Sequence, residues 1–148
     1  MGFGRILSST DIAASGLAAE RMRMEIAANN IANANTTSTP QGGPYRRQQL
    51  QFSTAMQNSL RSNTAAVSDG LGGVIVKSVS EDQTELPLVY NPGHPDADAE
   101  GFVRMPNVQL PIEMVDLMTA GRAYDANLKS LQMFRQMAEQ ALSLMSPR

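Results

Sequence analysis

Apolar residues repeat every seven positions near both ends of the chain, and this pattern most constrains the fold. Near the start, the first row is Phe3, Thr10, Leu17, Met24 and Ile31, and the second is Ile6, Ala13, Glu20, Ala27 and Ala34; Thr10 and Glu20 are the only polar members. Two apolar rows with a seven-residue period are typical of a coiled-coil seam. They predict a helix over residues 5–34, about 45 Å long. An amphipathic helix in an ordinary bundle gives the same pattern, so periodicity alone leaves both open.

A second helix is predicted over residues 111–145. One row repeats without exception through Leu110, Leu117, Tyr124, Leu131, Ala138 and Met145, and the other, interrupted by Arg135, contains Met114, Gly121, Leu128 and Leu142. Pro111 suits a first helical turn, and Glu113 and Asp116 suit its positive end. Gly121 costs about 1 kcal/mol relative to Ala in a helix. We expect a close backbone contact with the Ala-rich first helix to explain it.

The region between the helices reads as short strands joined by loops. We predict extended segments at residues 45–52, 74–79, 86–90 and 102–105, a short helix and loop within 54–68, and a turn at 70–73. The fold class is therefore mainly α with a small β insert, the long helices forming a coiled-coil-like pair around a loop-rich β region. The predicted units are 1–40, 41–107 and 108–148.

The larger residues of the heptad rows form a candidate assembly seam. It is defined by Leu17, Met24, Ile31, Leu117, Tyr124, Leu128, Leu131 and Leu142. These residues can pair the two helices with each other, with other copies of the chain, or both.

Composition excludes several classes of function. A net charge of −2 gives no support for nucleic-acid binding, and a solvated strand face explains the one adjacent basic pair, Arg46–Arg47, better. The absence of Cys excludes disulfides, thiol catalysis and thiolate metal sites. The first ten residues lack the apolar core of a cleavable secretory signal. Residues 26–45 are uncharged, but their Asn, Thr, Gly and two Pro residues do not suit a membrane span.

One acidic turn suggests metal chemistry. Residues Asp96, Asp98, Glu100 and Gly101 match the start of an EF-hand loop. The twelfth position, however, is Asn107 rather than a bidentate Glu, and three prolines flank the turn. A metal-dependent enzyme built on this turn and His94, the only histidine, is a weaker alternative. We predict no catalytic, cofactor or metal site.

The stretch from Ala27 to Thr36 contains more amides than helix propensity explains. It resembles the N-terminal signature of the bacterial flagellar axial proteins, which build the rod, the hook and the hook–filament junction. The signature residues are Asn29, Asn30, Ile31, Asn33, Asn35 and Thr36.

Four later motifs resemble one branch of that family, the proximal rod proteins lettered C. They lie at residues 42–47, 89–101, 114–118 and 120–127, and the resemblance runs from about Asp11 to Leu144. The chain departs from the family pattern at Glu20, where Gln is usual, and at Ser38 and Gly121.

The resemblance implies a structural subunit of the periplasmic rod, the drive shaft between the membrane-embedded ring and the distal rod and hook. Implied partners are other copies, other rod proteins, the ring protein and the flagellar type III export apparatus, which exports the subunit without a cleaved signal. No nucleic acid, small-molecule substrate or cofactor is implied. The alternative is a secreted helical-hairpin binding module of a type III secretion system that does not polymerise.

Overall fold

The fold, a computed structural model, is described for residues 3–54 and 73–145. Its elements in chain order are α1 (Phe3–Ala32), β1 (Gln48–Thr54), β2 (Val74–Glu81), β3 (Leu88–Tyr90), β4 (Phe102–Arg104) and α2 (Leu110–Met145). Two long helices thus flank a small β region, which confirms the predicted fold class. The helix and loop predicted within 54–68 and the turn predicted at 70–73 fall almost entirely outside the described residues.

The two helices form an antiparallel pair. Helix α1 has 30 residues and α2 has 36, which corresponds to about 45 and 54 Å. The end of α1 meets the start of α2, where Asn30 Nδ2 lies 2.9 Å from Glu113 Oε2. Further along the pair, a Cβ on Gly16 of α1 would lie 3.0 Å from Asn127 Nδ2 of α2. No helix within the described residues has the length and apolar content needed to cross a lipid bilayer.

Small residues occupy the centre of the helix pair. In the described parts of the two helices and the turn after α1, the fully buried apolar side chains are all alanines. They are Ala13, Ala19, Ala27, Ala34 and Ala120. Alanine lets two backbones approach closely but removes little apolar area from water, and stabilisation scales with that area. The pair is therefore close-fitting yet gains little hydrophobic stabilisation per turn.

The second heptad row of α2 lies one residue earlier than we predicted. Side chains that are buried or partly buried recur at Glu113, Ala120, Asn127, Phe134 and Ala141. By contrast, Met114, Leu128 and Leu142 are 56%, 36% and 54% exposed. The polar residues Glu113 and Asn127 occupy inward positions, and for this reason an analysis of apolar spacing selected the neighbouring row.

The close backbone contact that we predicted at Gly121 is wrong. A Cβ at this position would meet Met24 Sδ at 3.9 Å, which is ordinary van der Waals contact with a flexible side chain. The closer approach of the two helices is at Gly16, opposite Asn127. An alanine would fit at residue 121, so helix packing does not require glycine there.

The β region contains two separate two-stranded antiparallel sheets, β1–β2 and β3–β4. In the first, Gln48 pairs with Glu81 and Thr54 with Val74, with a bulge between Gln51 and Phe52. All four predicted extended segments are confirmed as strands, with shifts of a few residues at their ends. The first sheet also contacts α1, because Val74 N donates to Ser15 Oγ over 3.0 Å.

Candidate functional site

A cluster of polar side chains joins the two helices to the start of β1. We call it the polar joint, and it consists of Arg23, Asn30, Tyr45, Arg47, Asp82, Asn107, Glu113 and Asp116. Part of it lines a cleft of about 460 Å³ between α1, β1 and α2. Three distant parts of the sequence meet here, so the joint fixes how the β region sits on the helix pair.

Asn30 is the centre of the joint and is only 1% exposed. Its Nδ2 donates to the Gln48 carbonyl and to Glu113 Oε2, both over 2.9 Å. Its Oδ1 accepts from Tyr45 Oη and from the Gln48 amide, also over 2.9 Å. A side-chain amide has two donor hydrogens and two acceptor lone pairs. All four are used, so only an amide of this length satisfies the site.

Glu113 and Arg47 form a buried ion pair beside Asn30. The Arg47 Nε donates to Glu113 Oε1 over 2.5 Å, and the Glu113 side chain is 2% exposed. The same guanidinium reaches Asp116 Oδ2 at 3.5 Å. A buried carboxylate is costly unless it is paired and hydrogen-bonded. Here it has both a cation and the Asn30 amide, so the charge is compensated.

The backbone of Arg47 is held as firmly as its side chain. Its amide donates to Asn107 Oδ1 over 2.8 Å, and its carbonyl accepts from the Asp82 amide over 2.8 Å. Asn107 in turn donates to the Asp82 carbonyl. The segment before α2 is therefore tied to the residue that precedes β1 and to the residue that follows β2.

Two groups of the joint have shifted pKa values. Burial raises the pKa of the Tyr45 phenol, with a further contribution from the negative charge of Glu113. Hydrogen bonds from the backbone and side chain of Thr84 lower the pKa of the Asp82 carboxyl, helped by Arg47. Both shifts favour the protonation states that make the observed hydrogen bonds at neutral pH.

The structure brings only part of the predicted signature into the joint. Asn30 lies at its centre, and the half-buried Ile31 lies beside it. Asn33 Nδ2 instead donates to the Asn29 carbonyl over 2.9 Å, and Thr36 Oγ1 donates to Asn33 Oδ1 over 3.3 Å. These two residues close the C-terminal end of α1, whereas Asn35 is exposed.

Sequence reasoning missed Tyr45, Arg47 and Glu113 as members of a site. Glu113 was assigned only to the positive end of α2. The interpretation of Arg46–Arg47 as a solvated strand face is wrong for Arg47, because its guanidinium pairs with the buried Glu113. The sequence contained one indication of a role for Glu113. It lies seven residues before Ala120 and fourteen before Asn127, which places it in the same heptad row. A charged residue in a heptad row that faces a partner helix requires a buried counter-ion.

The predicted seam residues divide into two groups. Six of them are partly buried along the helix pair, namely Leu17, Met24, Ile31, Leu117, Tyr124 and Leu131. Leu128 and Leu142 lie outside it, on the exposed part of α2.

The acidic turn uses its own side chains to hold its shape. Asp98 Oδ1 accepts from the amides of Glu100 and Phe102, over 3.0 and 2.8 Å. Asp96 Oδ2 accepts from Thr37 Oγ1 over 2.7 Å, which links the turn to the loop after α1. Across residues 3–54 and 73–145, no group of three or more His, Asp or Glu residues is placed to hold a metal ion.

Comparisons with known proteins agree on one family. Residues 11–38 match the model for "Flagella basal body rod protein", and residues 99–144 match that for "Flagellar basal body rod FlgEFG protein C-terminal". The polar joint draws residues from both matched segments.

Curated relatives extend the similarity over nearly the whole chain. The flagellar basal-body rod protein FlgC of Borreliella burgdorferi is 40% identical, covering 95% of this chain and 97% of the relative. The proteins of the same name from Salmonella typhimurium and Bacillus subtilis are 43% and 36% identical, over 94% and 92% of this chain and 97% and 95% of their own lengths.

Proposed function

The chain belongs to the family of flagellar basal-body rod proteins FlgC, which are structural subunits, and we propose that it assembles through its terminal helices into the proximal rod. In this role it transmits torque from the membrane-embedded ring towards the distal rod and hook. It acts mechanically, by holding its neighbours in fixed positions, and needs neither a cofactor nor a small-molecule substrate.

One observation carries this proposal: α2 exposes many large apolar side chains. They include Met114, Val115, Met118, Met133, Leu142 and Leu144, which are between 54% and 87% exposed. Large exposed apolar side chains in such number mark interaction sites. We infer that neighbouring subunits cover this surface. Of the predicted seam residues, Leu128 and Leu142 then contact other subunits, while the other six pair the helices within one subunit.

The polar joint suits a part that must resist twisting. Its hydrogen bonds run from α1 to β1, from Arg47 just before β1 to α2, and from α1 to α2, so the first sheet cannot turn on the helix pair without breaking several of them. Charge-assisted hydrogen bonds such as that of Arg47 to Glu113 are about twice as strong as neutral ones. We infer that load applied to the β region passes through this joint into the helices.

The proposed partners are other copies of this chain, other rod proteins, the ring protein and the type III export apparatus. The proposed location is the periplasmic rod of the basal body, reached by flagellar export without a cleaved signal. Membership of the family supports the rod location, and the exposed apolar side chains of α2 support contacts with neighbouring subunits.

The test places a charge on the exposed face of α2. The variant Met118→Glu should be exported and retain its helix content, because this side chain is 59% exposed in the subunit. It should nevertheless be depleted from purified basal bodies, and the cells should not swim. Gln132→Glu, at another exposed position of α2, is the matched control and should behave as wild type. Normal swimming of cells that lack the chain, or its absence from wild-type basal bodies, would refute the proposal.

A further inference from the structure

The first sheet contacts α1 at two separate levels. At one end of the sheet, within the polar joint, the side-chain amide of Asn30 donates to the Gln48 carbonyl of β1 over 2.9 Å. At the other end, the backbone amide of Val74 in β2 donates to Ser15 Oγ over 3.0 Å. Gln48 and Val74 lie at opposite ends of the paired strands. The sheet is therefore held to the helix near both of its ends.

The spacing of these two contacts agrees along the helix and along the sheet. Ser15 and Asn30 are fifteen residues apart, which corresponds to about 22 Å of α-helix. Val74 and Glu81, the partner of Gln48, are seven residues apart, which corresponds to about 23 Å of strand. Because the two lengths match, the strands lie alongside α1 and both contacts form at once.

The contact at Ser15 depends on a glycine. Gly73 directly precedes β2, and a Cβ at this position would overlap Ser15 Oγ and lie 2.9 Å from Ser15 Cβ. Rotation can move the hydroxyl away, but Ser15 Cβ is fixed to the helix backbone, and two carbon atoms prefer a separation of about 3.5–4.0 Å. If both Ser15 atoms were removed, the nearest neighbour would be Ile12 Cα at 3.5 Å. Beside a serine, only glycine at residue 73 lets β2 approach α1 this closely.

The two ends of the sheet are held with different strength. At the polar joint, Asn30 uses all of its donors and acceptors, and a buried ion pair lies beside it. At Ser15, one exposed hydrogen bond joins the helix to the strand. The Ser15 hydroxyl donates to the Ile12 carbonyl over 2.7 Å, which orients its oxygen to accept from Val74. Close fit and one oriented bond therefore hold this end.

Resting on the proposed rod function, we propose that Ser15, Gly73 and Val74 form a clamp that fixes the angle between the first sheet and α1, and that a subunit enters the rod only with this clamp closed. We call these three residues the sheet clamp. A small tilt at the polar joint displaces the far end of the sheet most, because that end lies about 23 Å away. The sheet clamp prevents this tilt, so a neighbouring subunit meets the sheet in one position.

The first test is hydrogen exchange of the purified chain, followed by nuclear magnetic resonance. Gly73→Ala should raise the exchange rate of the Val74 amide by on the order of tenfold, because the added Cβ separates that amide from Ser15 Oγ. The Gln48 amide, which donates to Asn30 Oδ1 in the polar joint, should keep its wild-type rate. Faster exchange of both amides to the same extent, or of neither, would overturn the proposal.

The second test pairs substitutions across the contact. Gly73→Ala should be depleted from purified basal bodies, and the cells should swim poorly. Adding Ser15→Gly removes both overlapping atoms and should restore the amount and swimming, whereas adding Ser15→Ala retains Ser15 Cβ and should not. Ser15→Gly alone should reach basal bodies. Gly93→Ala, whose Cβ would have Asn91 Oδ1 at 3.8 Å as its nearest neighbour, is the matched control and should behave as wild type.

The outcomes separate the sheet clamp from the rod function itself. If Gly73→Ala reaches basal bodies in wild-type amounts, the assembly role of the clamp is wrong and the rod function stands. If Ser15→Ala rescues as well as Ser15→Gly, the overlap is not the cause and the clamp is wrong. If the wild-type chain is itself absent from basal bodies, the rod function fails, and the exchange test alone decides whether the clamp holds the sheet.

Discussion

Removing the Arg47 side chain should destabilise the subunit more than any exposed charge change. In the Arg47→Met variant, the Glu113 carboxylate keeps only the Asn30 amide as a donor while remaining 2% exposed. Breaking a buried ion pair from one side costs about 3–5 kcal/mol. The Arg47 side chain is 23% exposed, so we expect the lower end, about 3 kcal/mol. Its weaker contact with Asp116 adds little.

The double variant Arg47→Met with Glu113→Gln isolates the buried charge. Glutamine still accepts from Asn30 but carries no charge, so the double variant should lose only about 1 kcal/mol. The single and double variants therefore differ by about 2 kcal/mol in favour of the double.

Urea unfolding of the purified chain, followed by far-ultraviolet circular dichroism, measures these free energies. Arg21→Met is the matched control, because the Arg21–Glu25 pair has a 3.0 Å bond but side chains that are 72% and 60% exposed. It should cost less than about 0.5 kcal/mol. If Arg47→Met costs no more than Arg21→Met, or if the double variant is less stable than the single, the buried pair does not hold the joint.

Three further outcomes follow from the described contacts. Asn30→Asp should lower the free energy of unfolding by about 3 kcal/mol, because it removes both donors and faces Glu113 with a second carboxylate. The control Asn29→Asp, at an exposed position, should lower it by less than about 1 kcal/mol. Burial raises the pKa of Tyr45, so the folded state holds this proton more tightly than the unfolded chain. The stability contributed by this proton is complete below about pH 10 and is lost as pH rises through the raised pKa. The free energy of unfolding of Tyr45→Phe should therefore fall less between about pH 9 and 11 than that of the wild type. Hydrogen exchange should be faster beyond Ala120 than before it in α2, because no described side chain from 121 to 144 is fully buried, and equal protection along α2 would contradict this.

The elements of the fold could be predicted because they depend on local patterns. The heptad rows gave both helices to within two residues at each end, and β-branched residues marked Val74 to Val79 as a strand. The loop after α1 contains Gly42 and Gly43, whose φ values of 90° and 80° favour glycine.

The polar joint could not be predicted because its partners are far apart in sequence. Asn30 and Glu113 are separated by 83 positions, and nothing in either local pattern indicates the other. The second heptad row of α2 failed for the same reason. Its inward members include Glu113 and Asn127, which become favourable there only when Asn30, Arg47 and Gly16 are placed opposite them.

The two ends of the helix pair are held together differently. Near Asn30 the helices are joined by specific hydrogen bonds, whereas beyond Ala120 no described side chain of α2 is fully buried. An element that is stiff at one end and yielding at the other can occupy sites that are not equivalent. We therefore expect that neighbouring subunits can meet the far end of the helix pair at slightly different angles without a change in the β region.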